Sequence, residues 1–200
     1  SESGMETERV TRIDSRSMAA ILLDVDGVFH VSGRPIDGVG DAVRRLREDG
    51  HRLRFITNNT TSSRADLAED LRAVGLETTP RAAARVLAGK RVLALTMAAI
   101  RPELEGVKLV GEDADAVLLG GADETDETNR VFSYMNLARA FAELEAGAEL
   151  FCLHKNRWWQ TSHGALLDAG AFVAGLEYAA GVVAEVVGKP TGAYFDAALA

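Results

Sequence analysis

Two carboxylates, Asp24 and Asp26, follow directly on the apolar run Ala19-Ala20-Ile21-Leu22-Leu23 and precede Gly27. A run apolar on both faces reads as a strand in the middle of a sheet covered by helices. The pair then sits at a strand's carboxyl end, where open α/β sheets bind ligands. Two carboxylates in such a place are costly unless a cation or a proton neutralises one of them. With both on one side of the strand exit, one can attack while the other handles protons, and an Asp nucleophile is a route to an aspartyl-phosphate. Gly27 lets the backbone turn sharply. Taken alone, the tetrapeptide also reads as a βα turn in which Asp26 caps a helix and Asp24 is solvated.

Thr57-Asn58-Asn59 ends a second strand-like run, Arg52-Leu53-Arg54-Phe55-Ile56. A hydroxyl and backbone N–H groups at that place can hold phosphoryl oxygens, with the following helix start assisting. An ordinary strand-ending turn has the same look. Lys189 lies in Val186-Val187-Gly188-Lys189-Pro190, again after an apolar run. It is a compact cation suited to phosphate charge, and Pro190 fixes the turn.

Short apolar runs alternating with amphipathic stretches predict an α/β protein with a doubly wound parallel sheet. Asp37 to Asp49 places Val39, Val43 and Leu46 on one helical stripe, closed by Gly50. Ser63 and Asp66 open a further helix, with Leu67, Leu71 and Val74 inward and Gly75 at its end. A second rhythm starts at Thr79-Pro80. Its strands fall at Arg91 to Met97, Val107 to Val110, Ala116 to Leu119, Glu149 to Leu153 and Val182 to Val187. Its helices fall at Arg81 to Ala88, Ser133 to Glu145 and Leu167 to Ala180, with Ala138, Phe141, Ala142 and Leu144 as a buried stripe. Gly121 to Glu127 reads as a solvated acidic loop, and Thr191 to Ala200 as a helix. Residues 1–17 read as a flexible tail, 18–78 with 183–200 as one domain, and 79–182 as a second domain inserted into it.

Of 200 residues, 47% are hydrophobic and 26% charged, with Lys+Arg 22 against Asp+Glu 30 for a net charge of −8. That supports a real core and argues against an electrostatically driven nucleic-acid or membrane-surface binder. No apolar run approaches the roughly 20 residues that span a bilayer. A lone cysteine, Cys152, forms no internal disulfide, so a reducing, cytoplasmic home is expected. Cys152 reads as a buried small residue, and the four histidines lack zinc-ligand spacing with it. Trp158 and Trp159 read as packing residues, or as part of a loop in which Lys155 and Arg157 contact substrate.

Asp-x-Asp-Gly, Thr-Asn-Asn and Gly-Lys-Pro, each at a strand end and in this order, resemble the haloacid dehalogenase superfamily. The long segment between the second and third motifs resembles the inserted α/β cap of its type-II subgroup. Trp158-Trp159-Gln160-Thr161-Ser162 and the stretch from Leu166 to Pro190 resemble the phospholysine phosphohistidine inorganic pyrophosphate phosphatase group within it. The resemblance implies a Mg²⁺-dependent phosphatase for small phosphorylated substrates, pyrophosphate and phospho-amino-acid compounds among them. Asp24 would be nucleophile and metal ligand. Asp26 would be general acid/base, with its carbonyl on the metal. Thr57 and Asn58 would bind phosphate, and Lys189 would neutralise charge. A homodimer through the cap is also implied. The superfamily's fourth motif, a further acidic metal ligand, belongs downstream of Lys189, yet only Thr191 to Ala200 follows, so the C-terminal part of the core is expected to be missing. That departure leaves two readings: a piece of a longer enzyme, or an impaired, non-catalytic relative that binds phosphate or a partner.

Overall fold

The computed structural model describes residues 20–25, 28, 30–31, 34–57, 76–161, 164–189, 191–192 and 194–195. In chain order these form strands β1 (Ile21–Asp24), β2 (His30–Val31) and β3 (Arg34–Pro35), helix α1 (Val39–Glu48), strands β4 (Leu53–Thr57) and β5 (Leu76–Thr78), and helix α2 (Thr79–Val86). Strand β6 (Arg91–Leu95), a 3-10 turn (Ala98–Glu103), β7 (Lys108–Leu109), β8 (Ala116–Leu119), α3 (Asp126–Val131) and α4 (Tyr134–Glu145) follow. The chain continues through β9 (Glu149–Cys152), β10 (Trp158–Thr161), β11 (Gly164–Leu167), α5 (Ala169–Ala180) and β12 (Glu185–Val186). The tail expected over 1–17 and the helix expected over Ser63 to Gly75 lie outside the described residues.

The first sheet is parallel, in the order β1-β4-β5. β1 stands at its edge and not in its middle: among the described residues only β4 flanks it, and its side chains are half-buried. The period of two along a strand splits the faces. Leu23, Val25 and Phe55 pack under Val39 and Val43 of α1, which ends where Gly50 takes up a left-handed φ of 83°. Leu22 and Ile56 face the other way, against Ala82, Tyr194 and Phe195. Asp24 shares the parity of Leu22 and pairs in register with Ile56, so it emerges on the Tyr194 face.

The second sheet is also parallel, in the order β12-β9-β8-β6-β7. Its middle strand β8 is buried at every position, as a strand covered on both faces must be. Val117 and Leu119 join the cluster with Ala140, Leu144, Val173 and Leu176 of α4 and α5. Ala116 and Leu118 face Ala83, Leu87 and Ile100 of the α2 side. Each such buried Val, Leu or Ile side chain contributes about 1.5–3 kcal/mol. Ser133 and Asp168 cap α4 and α5, accepting hydrogen bonds from the Asn136 and Ala169 amides.

Several expectations need correction. The strand expected over Val182 to Val187 is shorter, Glu185–Val186, and pairs with Phe151 and Cys152 of the second sheet. The helix expected from Leu167 starts after Asp168, since Gly164–Leu167 pairs antiparallel with Trp158–Thr161. Within 121–127, Gly121 and Ala122 are buried and Asp126 opens α3, so this stretch is not a solvated loop. In α4 the buried alanine is Ala140, while Ala142 is exposed. Among the described residues no helix is long and apolar enough to cross a membrane.

Candidate active site

The amide of Val25 donates to the Ile56 carbonyl at 3.0 Å, so β1 and β4 leave the sheet side by side, with Asp24 beside the Ile56-Thr57 end. The third motif arrives from the other sheet. Past β12 the Val187 amide bonds the Cys152 carbonyl at 3.0 Å, and the Thr191 amide closes a turn on the Gly188 carbonyl at 3.0 Å. Lys189 stands in that turn, its Nζ 2.6 Å from Asp24 Oδ1. The lysine side chain is 13% exposed and the aspartate 45%, so the cation is shielded while the carboxylate reaches solvent. Among the described residues Lys189 is the only partner of the Asp24 carboxylate.

Tyr194, fully buried, fastens this arrangement. Its hydroxyl accepts from the Thr57 amide at 2.9 Å and donates to the Thr57 carbonyl at 3.0 Å. The Thr191 hydroxyl accepts from the Tyr194 amide at 3.4 Å, capping the turn that carries it. One tyrosine therefore ties the lysine-bearing segment to the end of β4. The sequence reading missed Tyr194, and no short motif marks it; only its place four residues after Pro190 hints at a helix start. Replacing it with Phe strands two buried backbone groups, and we expect about 2–3 kcal/mol less stability by denaturant unfolding. A loss under about 0.5 kcal/mol would show that the hydroxyl fastens nothing. Asp26 and Asn58 lie outside the described residues.

The profile of the haloacid dehalogenase-like hydrolases matches residues 21–124, which include Asp24 and Thr57. The mouse haloacid dehalogenase-like hydrolase domain-containing protein 2 is 35% identical over 193 residues, covering 92% of this chain and 71% of the relative. The chain belongs to the haloacid dehalogenase-like hydrolases. The phospholysine phosphohistidine inorganic pyrophosphate phosphatase of Xenopus laevis is 37% identical over 201 residues, spanning 92% of this chain and 72% of that protein. Among solved structures, a p-nitrophenyl phosphatase from Archaeoglobus fulgidus superposes with a TM-score of 0.79 at 25% identity, covering 89% of this chain and 72% of that one. A Mycobacterium tuberculosis glycerol phosphate phosphatase in complex with magnesium gives a TM-score of 0.79 at 27% identity, covering 92% of this chain and 59% of that one.

The remaining candidates of this haloacid dehalogenase-like hydrolase sit apart from that cluster. Lys155 Nζ lies 2.6 Å from Glu177 Oε1, which also accepts from the Ala184 amide at 2.8 Å. Burial works against the Glu177 charge, but these hydrogen bonds outweigh it and hold the carboxyl below its ordinary range. Arg157 is exposed, and its carbonyl accepts from the Asp168 amide at 3.2 Å. Neither Lys155 nor Arg157 bonds Asp24, Thr57 or Lys189. Trp158, expected to pack, is 54% exposed on a two-stranded ribbon that leaves its outer face to solvent. Cys152 is fully buried, and burial pushes its thiol up to about 11, which makes it an inert core residue.

The Lys155–Arg157 loop rests on α5 with no slack. A Cβ on Gly170 would stand 2.4 Å from the Asn156 carbonyl oxygen and 2.7 Å from that of Lys155, both backbone atoms. Gly170→Ala should therefore destabilise by about 1–3 kcal/mol. Gly175→Ala, in the same helix with nothing within 4 Å of its Cβ, should stabilise by about 0.5–1 kcal/mol. Thermal unfolding of the two variants checks the contrast, and equal effects would refute the close contact.

Proposed function

We propose that this protein is a magnesium-dependent phosphatase that hydrolyses small phosphorylated compounds through an aspartyl-phosphate on Asp24. The observation that carries the reading is the 2.6 Å contact between Lys189 Nζ and Asp24 Oδ1, made by residues 165 apart in sequence. An ammonium beside the carboxylate lowers the repulsion between that carboxylate and an incoming phosphate dianion, the charge compensation phosphoryl transfer requires. Oδ2 of Asp24 has no partner among the described residues, so it is the oxygen placed to form the bond to phosphorus.

In the first step an Asp24 oxygen bonds phosphorus as the bond to the leaving oxygen breaks, and Asp26 gives that oxygen a proton. In the second, water attacks phosphorus, its proton passes to Asp26, and the Asp24 carboxylate is released with inorganic phosphate. Thr57 and Asn58 are the phosphate contacts of this reading, with the Thr57 amide itself committed to Tyr194. Among the described residues no group of three His, Cys, Asp or Glu converges. A single half-exposed carboxylate nevertheless suits Mg²⁺, a hard cation held by one or two carboxylates and several waters. When bound there, by Asp24 and the Asp26 carbonyl, the ion would neutralise developing phosphate charge.

We assign the first sheet and the segment after β12 to the core domain, and the second sheet with the β10–β11 ribbon to a cap. Cap closure would exclude water, with Lys155 and Arg157 on its substrate-facing loop. The Xenopus relative's name makes pyrophosphate and N-phosphorylated amino acids the first candidate substrates. The exposed side chains of Tyr134, Met135, Tyr178 and Val183 are suited to a homodimer contact through the cap. The lone buried thiol fits a cytoplasmic enzyme.

Assaying p-nitrophenyl phosphate and pyrophosphate with and without Mg²⁺ tests the reading. Turnover should vanish in EDTA and return with excess Mg²⁺. A folded protein with no turnover on either substrate under both conditions would support a binding protein.

A further inference from the structure

A cavity of about 440 Å³ opens on the second sheet, lined only by residues between Leu93 and Arg139, none of them in the cluster around Asp24. The sheet explains the space. β7 pairs with β6 only at Arg91 and Val92, and the last rung is the Val110 amide donating to the Val92 carbonyl at 3.0 Å. The Arg91 and Leu95 carbonyls accept from the other side, from the Asp115 and Gly120 amides at 2.8 and 2.9 Å. Residues along a parallel strand bond alternate neighbours, so the peptide groups of Ala94 face the side on which β7 has ended.

Three guanidinium groups line this opening: Arg101 from the 3-10 turn, Arg130 from the last turn of α3 and Arg139 from α4. Two other surface arginines have carboxylate partners, Arg44 with Asp41 and Arg91 with Asp115. These three have none among the described residues, and Arg101 donates only a 3.5 Å hydrogen bond to the Thr96 carbonyl. The one lining carboxylate, Glu127, accepts from the Ala98 amide at 2.7 Å. Three cations against one carboxylate leave the cavity at +2 in a chain of net charge −8. Asn136 adds a polar side chain to the lining, and Leu93, Leu95, Leu109 and Val131 supply apolar wall.

We propose that this cavity is a second ligand site, for a small phosphate dianion, held by Arg101, Arg130, Arg139 and the Ala94 amide. A phosphate group carries about −1.5 to −2 at pH 7 and three strong acceptor oxygens. Guanidinium forks match those oxygens in pairs. The volume falls within the roughly 300–1,000 Å³ typical of small-molecule pockets, and the apolar wall leaves room for a short hydrocarbon group on the phosphate. Inorganic phosphate and an organic phosphate monoester share this chemistry.

The test is amide NMR on the intact chain in EDTA at low salt, titrated separately with inorganic phosphate and with phenylphosphonate, which is not hydrolysed. Saturable shifts at Ala94, Gly111 and Val131 are expected. Tighter binding of phenylphosphonate identifies an organic phosphate as occupant, and equal binding identifies inorganic phosphate. Arg130→Gln/Arg139→Gln should weaken these shifts at least about tenfold, whereas Asp24→Asn should leave them unchanged. Both arginines are exposed, so the double variant keeps the native spectrum elsewhere. Shifts confined to Val25 and Thr57, no shift with either ligand, or shifts indifferent to the arginines would overturn the proposal.

Discussion

Asp24→Asn abolishes phosphate-ester hydrolysis, with kcat falling at least about 10³-fold while the protein stays folded. The substitution keeps the shape of the side chain and replaces one oxygen by an amide nitrogen. The amide is a poor nucleophile and forms no acyl phosphate, so the first step loses its attacking atom. Stability should hardly move. The carboxylate is 45% exposed and makes one ion pair, a kind of contact worth about 1 kcal/mol or less. A large fall in kcat with an unfolding free energy within about 1 kcal/mol of the parent separates a reacting group from a structural one. Near-parental turnover would remove Asp24 from the chemistry.

Lys189→Met should lower kcat/KM by about 10²–10³-fold, the range associated with loss of one preorganised electrostatic contact. Methionine fills a similar volume at this largely shielded site without the charge, so Asp24 then meets the substrate phosphate uncompensated. The loss should appear in kcat as well as KM, because charge accumulates on the transferring group and not on bound substrate alone. Lys189→Arg should restore little of it. The guanidinium is a broad, planar, delocalised cation and does not reproduce the compact point charge that Lys189 places beside Asp24. Steady-state kinetics of both variants at saturating Mg²⁺ decide the matter; full activity in Lys189→Met would sever the link between the ion pair and catalysis.

The three strand-end motifs were legible because each follows an apolar run, and apolar runs in α/β proteins become parallel strands. Asp24, Thr57 and Lys189 do lie at such ends, and alternation along β1 sends Asp24 to the face from which Lys189 approaches. The sheet that delivers Lys189 was not legible. Glu185–Val186 is two residues long, and a strand that short has no periodicity to show which sheet it joins. The β10–β11 ribbon was hidden for a related reason: Ala165, Leu166 and Leu167 continue into the apolar run of α5, and only Asp168, as cap, separates strand from helix. Tyr194 escaped because its role rests on two hydrogen bonds to a residue 137 positions away. Charge pattern likewise does not reveal the cavity on the second sheet, since Arg101, Arg130 and Arg139 come from three elements and look like ordinary solvated arginines one at a time.

Rapid acid quench of enzyme mixed with phosphorus-labelled substrate, followed by peptide mapping, asks directly where the phosphoryl group goes. The label should accumulate, within the first turnover, on the peptide carrying Asp24, be released by hydroxylamine as acyl phosphates are, and be missing from Asp24→Asn. Product appearing through that first turnover with no label on the protein, or with the label on another side chain, would contradict attack by Asp24.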